Sequence, residues 1–188
     1  MASSEPHETT YFGYGSNLWK QQMKQRCPTS EFLGIARLNG YQWIINDRGY
    51  ANVVEVSDTK KAKDCEAWGL VFRLQPSDED RLDLNEGVPE SYTKEDISTG
   101  FWPTGKDWTI DKAEKKDMLV YIDRKRTEAD VPKKEYIYRM NMGIKDALKE
   151  GVPKKYVDGV LRDFIPDVED ENVSSFARQQ ARFFEDED

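Results

Sequence analysis

Two short stretches carry residue types that can do chemistry. The first is Tyr11-Phe12-Gly13-Tyr14-Gly15-Ser16-Asn17-Leu18, an aromatic run that stops in a loop of glycine, serine and asparagine. Gly13 and Gly15 relieve the steric limits on the backbone, so the chain turns sharply and approaches a ligand closely. Such a loop aims several N–H groups at one point, which suits a carboxylate or a developing oxyanion. No Gly-Lys-Ser/Thr follows it, so a phosphate-binding P-loop is not supported. The second stretch is Leu82-Asp83-Leu84-Asn85-Glu86-Gly87-Val88. Glu86 falls in the last turn of a predicted helix, just before the Gly87 that stops it. A carboxylate there faces the negative end of the helix dipole. Leu82 and Glu86 are four residues apart and share a helix face, so an inward Leu82 carries Glu86 inward. Burial and the dipole then both raise its pKa, which suits a proton-transfer group. The plainer reading, a solvated helix-terminal glutamate, stands beside it.

The single histidine, His7, lies in a polar leader. That argues against a Ser-His-Asp or Cys-His machine and against a histidine-containing zinc site. Cys27 sits beside Pro28 and Cys65 abuts a charged loop; neither has a histidine near it in sequence, and both are expected to be inert. Two cysteines make no disulfide framework, so a reducing cytoplasmic location is the default. Any enzyme built from this chain works with carboxylates, hydroxyls, Lys/Arg and backbone groups, without metal or cofactor.

These stretches belong to a chain of 188 residues, which favours one domain with one sizeable core. Hydrophobic residues make up 37% and charged residues 34%, the balance of a soluble protein with a heavily charged surface. The net charge of -8 argues against a nucleic-acid partner, which needs a basic face. No apolar run approaches the roughly 20 residues of a membrane helix. Residues 1–8 are polar and read as a disordered leader rather than a secretory signal.

The elements that must hold the two stretches follow from pattern. Thr9 to Phe12 reads as a strand. Trp19 to Arg26 is helix-prone. Phe32 to Asn46 reads as paired strands with Asn39-Gly40 as the hairpin signal. Ala51 to Val56 is a further strand, Ser57 to Asp64 a charged loop, and Glu66 to Leu74 the clearest buried strand. A helix starts at Pro76 with Ser77 as N-cap. Ser91 to Ser98 and Asp117 to Asp123 are strands around a Trp- and Gly-containing loop, Gly100 to Lys115. Lys134 to Glu150 is a helix with Ile137, Met140, Ile144 and Leu148 at helical spacing. Pro153 to Phe164 is a second helix and Val173 to Phe184 a terminal one, which Phe176, Phe183 and Phe184 are expected to dock on the domain or a partner. Strands dominate the first two thirds and helices the rest. The expected fold class is α+β, with a mixed or antiparallel sheet curling into a small barrel flanked by helices. The expected organisation is the leader, a domain over 9–165, and an acidic break, terminal helix and acidic tail over 166–188.

The two stretches, in this order and spacing, resemble the γ-glutamylcyclotransferase family, also called AIG2-like. The likeness extends to Ile35-Ala36-Arg37-Leu38, Trp68-Gly69-Leu70-Val71-Phe72, Val120-Tyr121-Ile122, Pro132, Tyr136, Met142-Gly143 and Gly151-Val152-Pro153 with Tyr156. It covers roughly residues 10 to 165; no single motif is specific, and their order makes the signal. The resemblance implies a small β-barrel flanked by helices. It implies conversion of a γ-glutamyl amide to 5-oxoproline with release of the amine, by a small-molecule substrate's own α-amine and without cofactor. It implies that Glu86 accepts the proton, that Tyr11, Phe12, Gly13, Tyr14, Gly15, Ser16 and Asn17 hold the glutamyl end, and that Tyr136 contacts substrate.

Read from the residues themselves, Ser16 either binds substrate or stabilises its own loop. Tyr136 either reaches the site or packs in the core with Met140, and Tyr121, in a strand, points either way. Arg37 is expected in a structural salt bridge. The Trp102 to Trp108 loop either lies over the pocket or packs on the barrel. Tyr-Gly-Ser-Asn departs from the Tyr-Gly-Thr-Leu of γ-glutamylamine cyclotransferases, which disfavours that branch. Small γ-glutamyl peptides, bulky glutathione adducts of secondary metabolism, intact glutathione, and a non-catalytic binding module on the same barrel stay open, as does a homodimer.

Overall fold

The computed structural model describes residues 7–169 and 171–182. Most of the expected leader, the acidic tail at 185–188, and Phe183 and Phe184 at the end of the expected terminal helix lie outside the described residues. Among the described residues no helix is long and apolar enough to cross a membrane.

Five strands close a barrel in the order β1-β5-β2-β6-β7. They are β1 (Thr9–Gly13), β2 (Glu31–Asn39), β5 (Glu66–Leu74), β6 (Thr93–Pro103) and β7 (Glu114–Ile122). All neighbours are antiparallel except β1 and β7, which meet in parallel at Tyr11 and Leu119 and close the barrel. The mixed barrel of an α+β fold is therefore what the pattern predicts. Closure removes the open edges that invite aggregation. β5 sits between β1 and β2 and is buried along nearly its whole length, which is why it reads as an unbroken apolar run. Phe12, Leu38, Leu70, Leu74 and Val120 are fully buried in the resulting core.

Several expectations change in detail. Asn39-Gly40 does not join a hairpin: Gly40 takes φ +82° where the chain leaves the barrel, and β3 (Tyr41–Ile45) pairs with β4 (Ala51–Glu55) in a separate two-stranded sheet. β2 already has both edges occupied, by β5 and β6. The charged loop at Ser57–Asp64 contains a short helix, α2 (Thr59–Ala62), because Asp58 accepts the Lys60 and Lys61 N–H groups. Gln75, not Ser77, caps α3 (Pro76–Asn85): Pro76 takes the first helical position, and the Asp78 carboxylate accepts the Gln75 N–H at 3.2 Å. The Gly100–Lys115 loop shrinks to residues 104–113, since β6 and β7 pair as far as Phe101 and Glu114.

The helical third follows the predicted order. α1 (Lys20–Arg26) follows a one-turn 3-10 segment at Ser16–Leu18. α4 (Lys134–Glu150) matches the spacing-based expectation to the residue, and Gly151 at φ +105° ends it. The predicted Pro153–Phe164 helix breaks after α5 (Lys154–Gly159) into a 3-10 turn, Leu161–Asp163. α6 (Ser174–Arg182) packs on α1 and α4, so the terminal helix docks on the domain itself.

Candidate active site

β1 ends at Gly13, and the chain turns at once into the Ser16–Leu18 segment, whose three residues are buried. This delivers Tyr14, Gly15, Ser16 and Asn17 to one end of the barrel. α3 runs to the same end and stops at Glu86, where Gly87 takes φ +60°, a conformation that favours glycine. One cavity is lined by Tyr11, Tyr14, Gly15, Ser16, Asn17 and Glu86, with Tyr121, Tyr136 and Arg139 among the other residues of its wall. The structure thus brings together two stretches about 70 residues apart.

Each predicted residue has a definite place. Tyr11 Oη accepts a hydrogen bond from Asn17 Nδ2 at 2.9 Å. Tyr14 Oη donates to the Tyr121 carbonyl at 2.6 Å. Tyr136 Oη accepts from the Ser16 N–H at 3.1 Å. Tyr136 is therefore buried in the core with Met140, and its hydroxyl reaches the loop. Tyr121 faces the cavity too, with its hydroxyl donating to Asp83 Oδ1 at 2.7 Å. Phe12 and Gly13 are not among the lining residues: Phe12 is fully buried, and Gly13 packs against Asn17 and Tyr11.

Glu86 is half-buried and lines the cavity, with protein packed around its carboxyl. Burial raises its pKa above the ordinary carboxylate value; Arg26, Arg139 and Arg48 pull it back, and Asp83 adds to the rise. Among the described residues it takes part in no side-chain hydrogen bond and no ion pair, so its oxygens are left to the cavity. Burial likewise raises the phenols of Tyr11, Tyr14, Tyr92 and Tyr136 and keeps them protonated.

Beneath the loop lies a polar layer that the sequence reading missed. Gln22 Nε2 donates to Ser16 Oγ at 2.9 Å and to Asn17 Oδ1 at 2.8 Å. Arg139 Nη1 donates to Ser16 Oγ at 3.2 Å, while its Nε and Nη2 hold both oxygens of Glu135 at 2.8 and 3.1 Å. Arg26 lines the cavity floor; burial, and then Arg139, lower its pKa to about 10. Its Nε and Nη2 donate to the Ala181 and Gln180 carbonyls at the end of α6, each at 3.0 Å. The one available signal was the Glu135/Arg139 pair at i,i+4, on the helix face that carries Tyr136. The remaining expectations resolve simply. Cys27 is buried, its thiol pushed up to about 12 by burial and the charge of Asp78. The Trp102–Trp108 segment packs on the barrel flank against Trp68, away from this cavity.

Comparison with known proteins gives this geometry its relatives. A family model described as "Gamma-glutamyl cyclotransferase, AIG2-like" matches residues 11–140. The chain belongs to this family. Two proteins named gamma-glutamylcyclotransferase align with part of it. The mouse protein is 30% identical over 94 residues, which are 46% of this chain and 48% of the mouse protein. The human one is 30% identical over 82 residues, 42% of this chain and 44% of its own length. The chain spans about half the length of the curated relatives it matches. A solved structure described as gamma-glutamyl cyclotransferase superposes with TM-score 0.69 at 20% identity, over 92% of this chain and 99% of that one. An uncharacterized human protein gives TM-score 0.68 at 21% identity, over 93% and 99%. At such identities the likeness establishes the shared fold.

Proposed function

We propose that the chain cyclises a γ-glutamyl amide or peptide to 5-oxoproline and releases the amine or amino acid. The observation that carries this reading is Glu86: an enclosed carboxylate without a side-chain partner among the described residues, in one cavity with the Gly15-Ser16-Asn17 loop. The substrate's α-amine attacks its own γ-carbonyl carbon, forming the ring C–N bond and a tetrahedral oxyanion. The α-ammonium first sheds one proton to solvent; Glu86 then takes a second from the attacking nitrogen as the ring closes and returns it to the departing nitrogen as the original amide C–N bond breaks. The carboxylate ends as it began, and no protein nucleophile is required.

The surrounding groups fit that sequence. Ser16 Oγ accepts from Gln22 and Arg139, which occupies both lone pairs and leaves its O–H to donate. Tyr11 and Tyr136 likewise accept hydrogen bonds from the loop, so their hydroxyl protons are available to the cavity. Donors aimed at a developing oxyanion contribute about 3–4 kcal/mol each. Holding the glutamyl chain bent on itself contributes up to about 7–11 kcal/mol, because the reaction is intramolecular.

The test is incubation of the full chain with a panel of γ-glutamyl amides, γ-glutamyl-alanine first, following 5-oxoproline by chromatography. Release of 5-oxoproline with an equal amount of free amine supports the reading. No release from any member of the panel defeats it.

A further inference from the structure

A second, larger depression lies on the barrel flank. It is a groove of about 780 Å³ and shares no lining residue with the Glu86 cavity. Its volume falls in the range of about 300–1,000 Å³ typical of small-molecule sites. Trp68, 1% exposed, forms its floor, stacked on Trp102 with ring centroids 5.3 Å apart and planes at 17°. Trp108 meets Trp68 edge-on at 5.4 Å and forms part of the lip. Arg37 faces Trp68 across the β2–β5 pair, its guanidinium carbon 5.7 Å from the Trp68 ring centre and 5.6 Å from that of Trp102. Phe164, after α5, borders the other side.

Two donor atoms on this groove lack an acceptor among the described residues: Tyr156 Oη, and Arg37 Nε, itself covered although its side chain is 35% exposed. The expected salt bridge of Arg37 exists only loosely. Glu66 Oε2 stands 3.8 Å from Arg37 Nε, because the other oxygen of the same carboxylate is held by Trp68 Nε1 at 3.0 Å. Tyr156 is 4% exposed; the Trp68 backbone lies close enough to hold its phenol pKa down, a contact in which the phenol oxygen accepts, so the hydroxyl proton itself has no acceptor among the described residues. Leaving a buried donor unsatisfied costs about 1–3 kcal/mol, more for a charged group. Two such donors bordering one tryptophan in one groove point to an acceptor supplied from outside. Asp64, Glu66 and Asp163 line the groove together with Lys61 and Lys155, so with Arg37 the lining charges balance and offer a dianion such as a phosphate monoester no net attraction. A single carboxylate fits the two donors, and the indole faces fit a flat apolar ring.

We propose that this groove binds a small molecule that joins a flat apolar ring system to one carboxylate, the carboxylate on Arg37 and Tyr156 and the ring against Trp108 and Phe164. The site is independent of the cyclisation reading, and its test needs no turnover. The full chain, labelled with nitrogen-15, is titrated with indole-3-propionate and, separately, with 3-methylindole, which lacks the carboxylate. The expected result is saturable shifts of the Trp68 and Trp108 indole N–H signals, with indole-3-propionate binding at least tenfold more tightly. Arg37→Gln and Tyr156→Phe each weaken indole-3-propionate and leave 3-methylindole unchanged. Arg37→Lys, which keeps the charge and loses the fork, gives an intermediate loss and guards against misfolding of the Gln variant. Equal affinity for the two probes, or no change in any variant, overturns the proposal. So does a sedimentation series showing the groove closed between two copies of the chain.

Discussion

A Cβ placed on Gly15 would stand 2.8 Å from the Tyr136 hydroxyl oxygen and 3.0 Å from Ala51 Cβ. The loop and α4 therefore meet at a distance that only a glycine allows, and that contact sets where Tyr136 sits relative to Ser16. Gly15→Ala must push Tyr136 or the loop aside. A displacement near 1 Å in a preorganised site costs about a hundredfold in rate. We expect kcat/KM for a γ-glutamyl substrate to fall by that order. The double variant Gly15→Ala/Tyr136→Phe, which removes the clashing oxygen, should recover part of the thermal stability but not the rate. A Gly15→Ala enzyme of full activity would show that the contact is dispensable.

The Glu135–Arg139 pair is nearly solvent-free, with side chains 5% and 1% exposed. Removing one partner of such a pair leaves a buried charge unpaired and costs about 3–5 kcal/mol. Arg139→Met should show that loss in urea unfolding, and Glu135→Met/Arg139→Met should be more stable than Arg139→Met alone. Both should be slow enzymes, because Ser16 Oγ loses one of the two donors that orient it. A double variant as active as wild type would separate this layer from the chemistry.

Arg26 joins the site floor to α6 through the Gln180 and Ala181 carbonyls, where a cation also suits the negative helix end. Arg26→Met should release α6, seen as faster amide exchange over residues 174–182 while the barrel strands keep their protection. Unchanged exchange in α6 would mean that its apolar face, with Ala177 and Ala181 buried, holds it without help.

Much of the fold was legible, and the reasons are local. β5 and α4 announce themselves through an unbroken apolar run and a 3.6-residue spacing, patterns that burial alone imposes. The Asn39-Gly40 turn misled because a hairpin signal describes the turn and not the partner; β2's edges were claimed by β5 and β6, strands distant in sequence. At the site, the glycine loop and Glu86 were readable from residue type, and Tyr136 only from the family resemblance. Gln22 and Arg26 were not readable. Each acts through a side chain that crosses from one element to another, and neither spacing nor composition encodes such a crossing. The Trp-rich loop was visible as a loop, but its docking on Trp68 depends on the Arg37–Trp68 register.

The raised pKa of Glu86 has a consequence for stability. A carboxyl whose pKa is higher folded than unfolded favours the fold while protonated, and this contribution is lost as pH rises through the folded value. At neutral pH the ionised, enclosed Glu86 is therefore a liability. Glu86→Gln should raise the midpoint of thermal unfolding at pH 7, and the difference from wild type should shrink as pH falls through the raised folded value and be gone below the ordinary carboxylate range. A variant less stable than wild type at pH 7 would contradict the enclosed, unpaired carboxylate.

The central claim is that Glu86 carries the proton in a ring closure. Its most direct test compares initial rates of 5-oxoproline release from γ-glutamyl-alanine by wild type and Glu86→Gln across pH. The account predicts a loss of about 10²–10⁴-fold in the variant, the usual worth of a positioned acid–base group. It also predicts a wild-type acid limb displaced above the ordinary glutamate value of about 4.3, because burial raises this carboxyl. Equal rates in the two proteins, with the same acid limb, would contradict it.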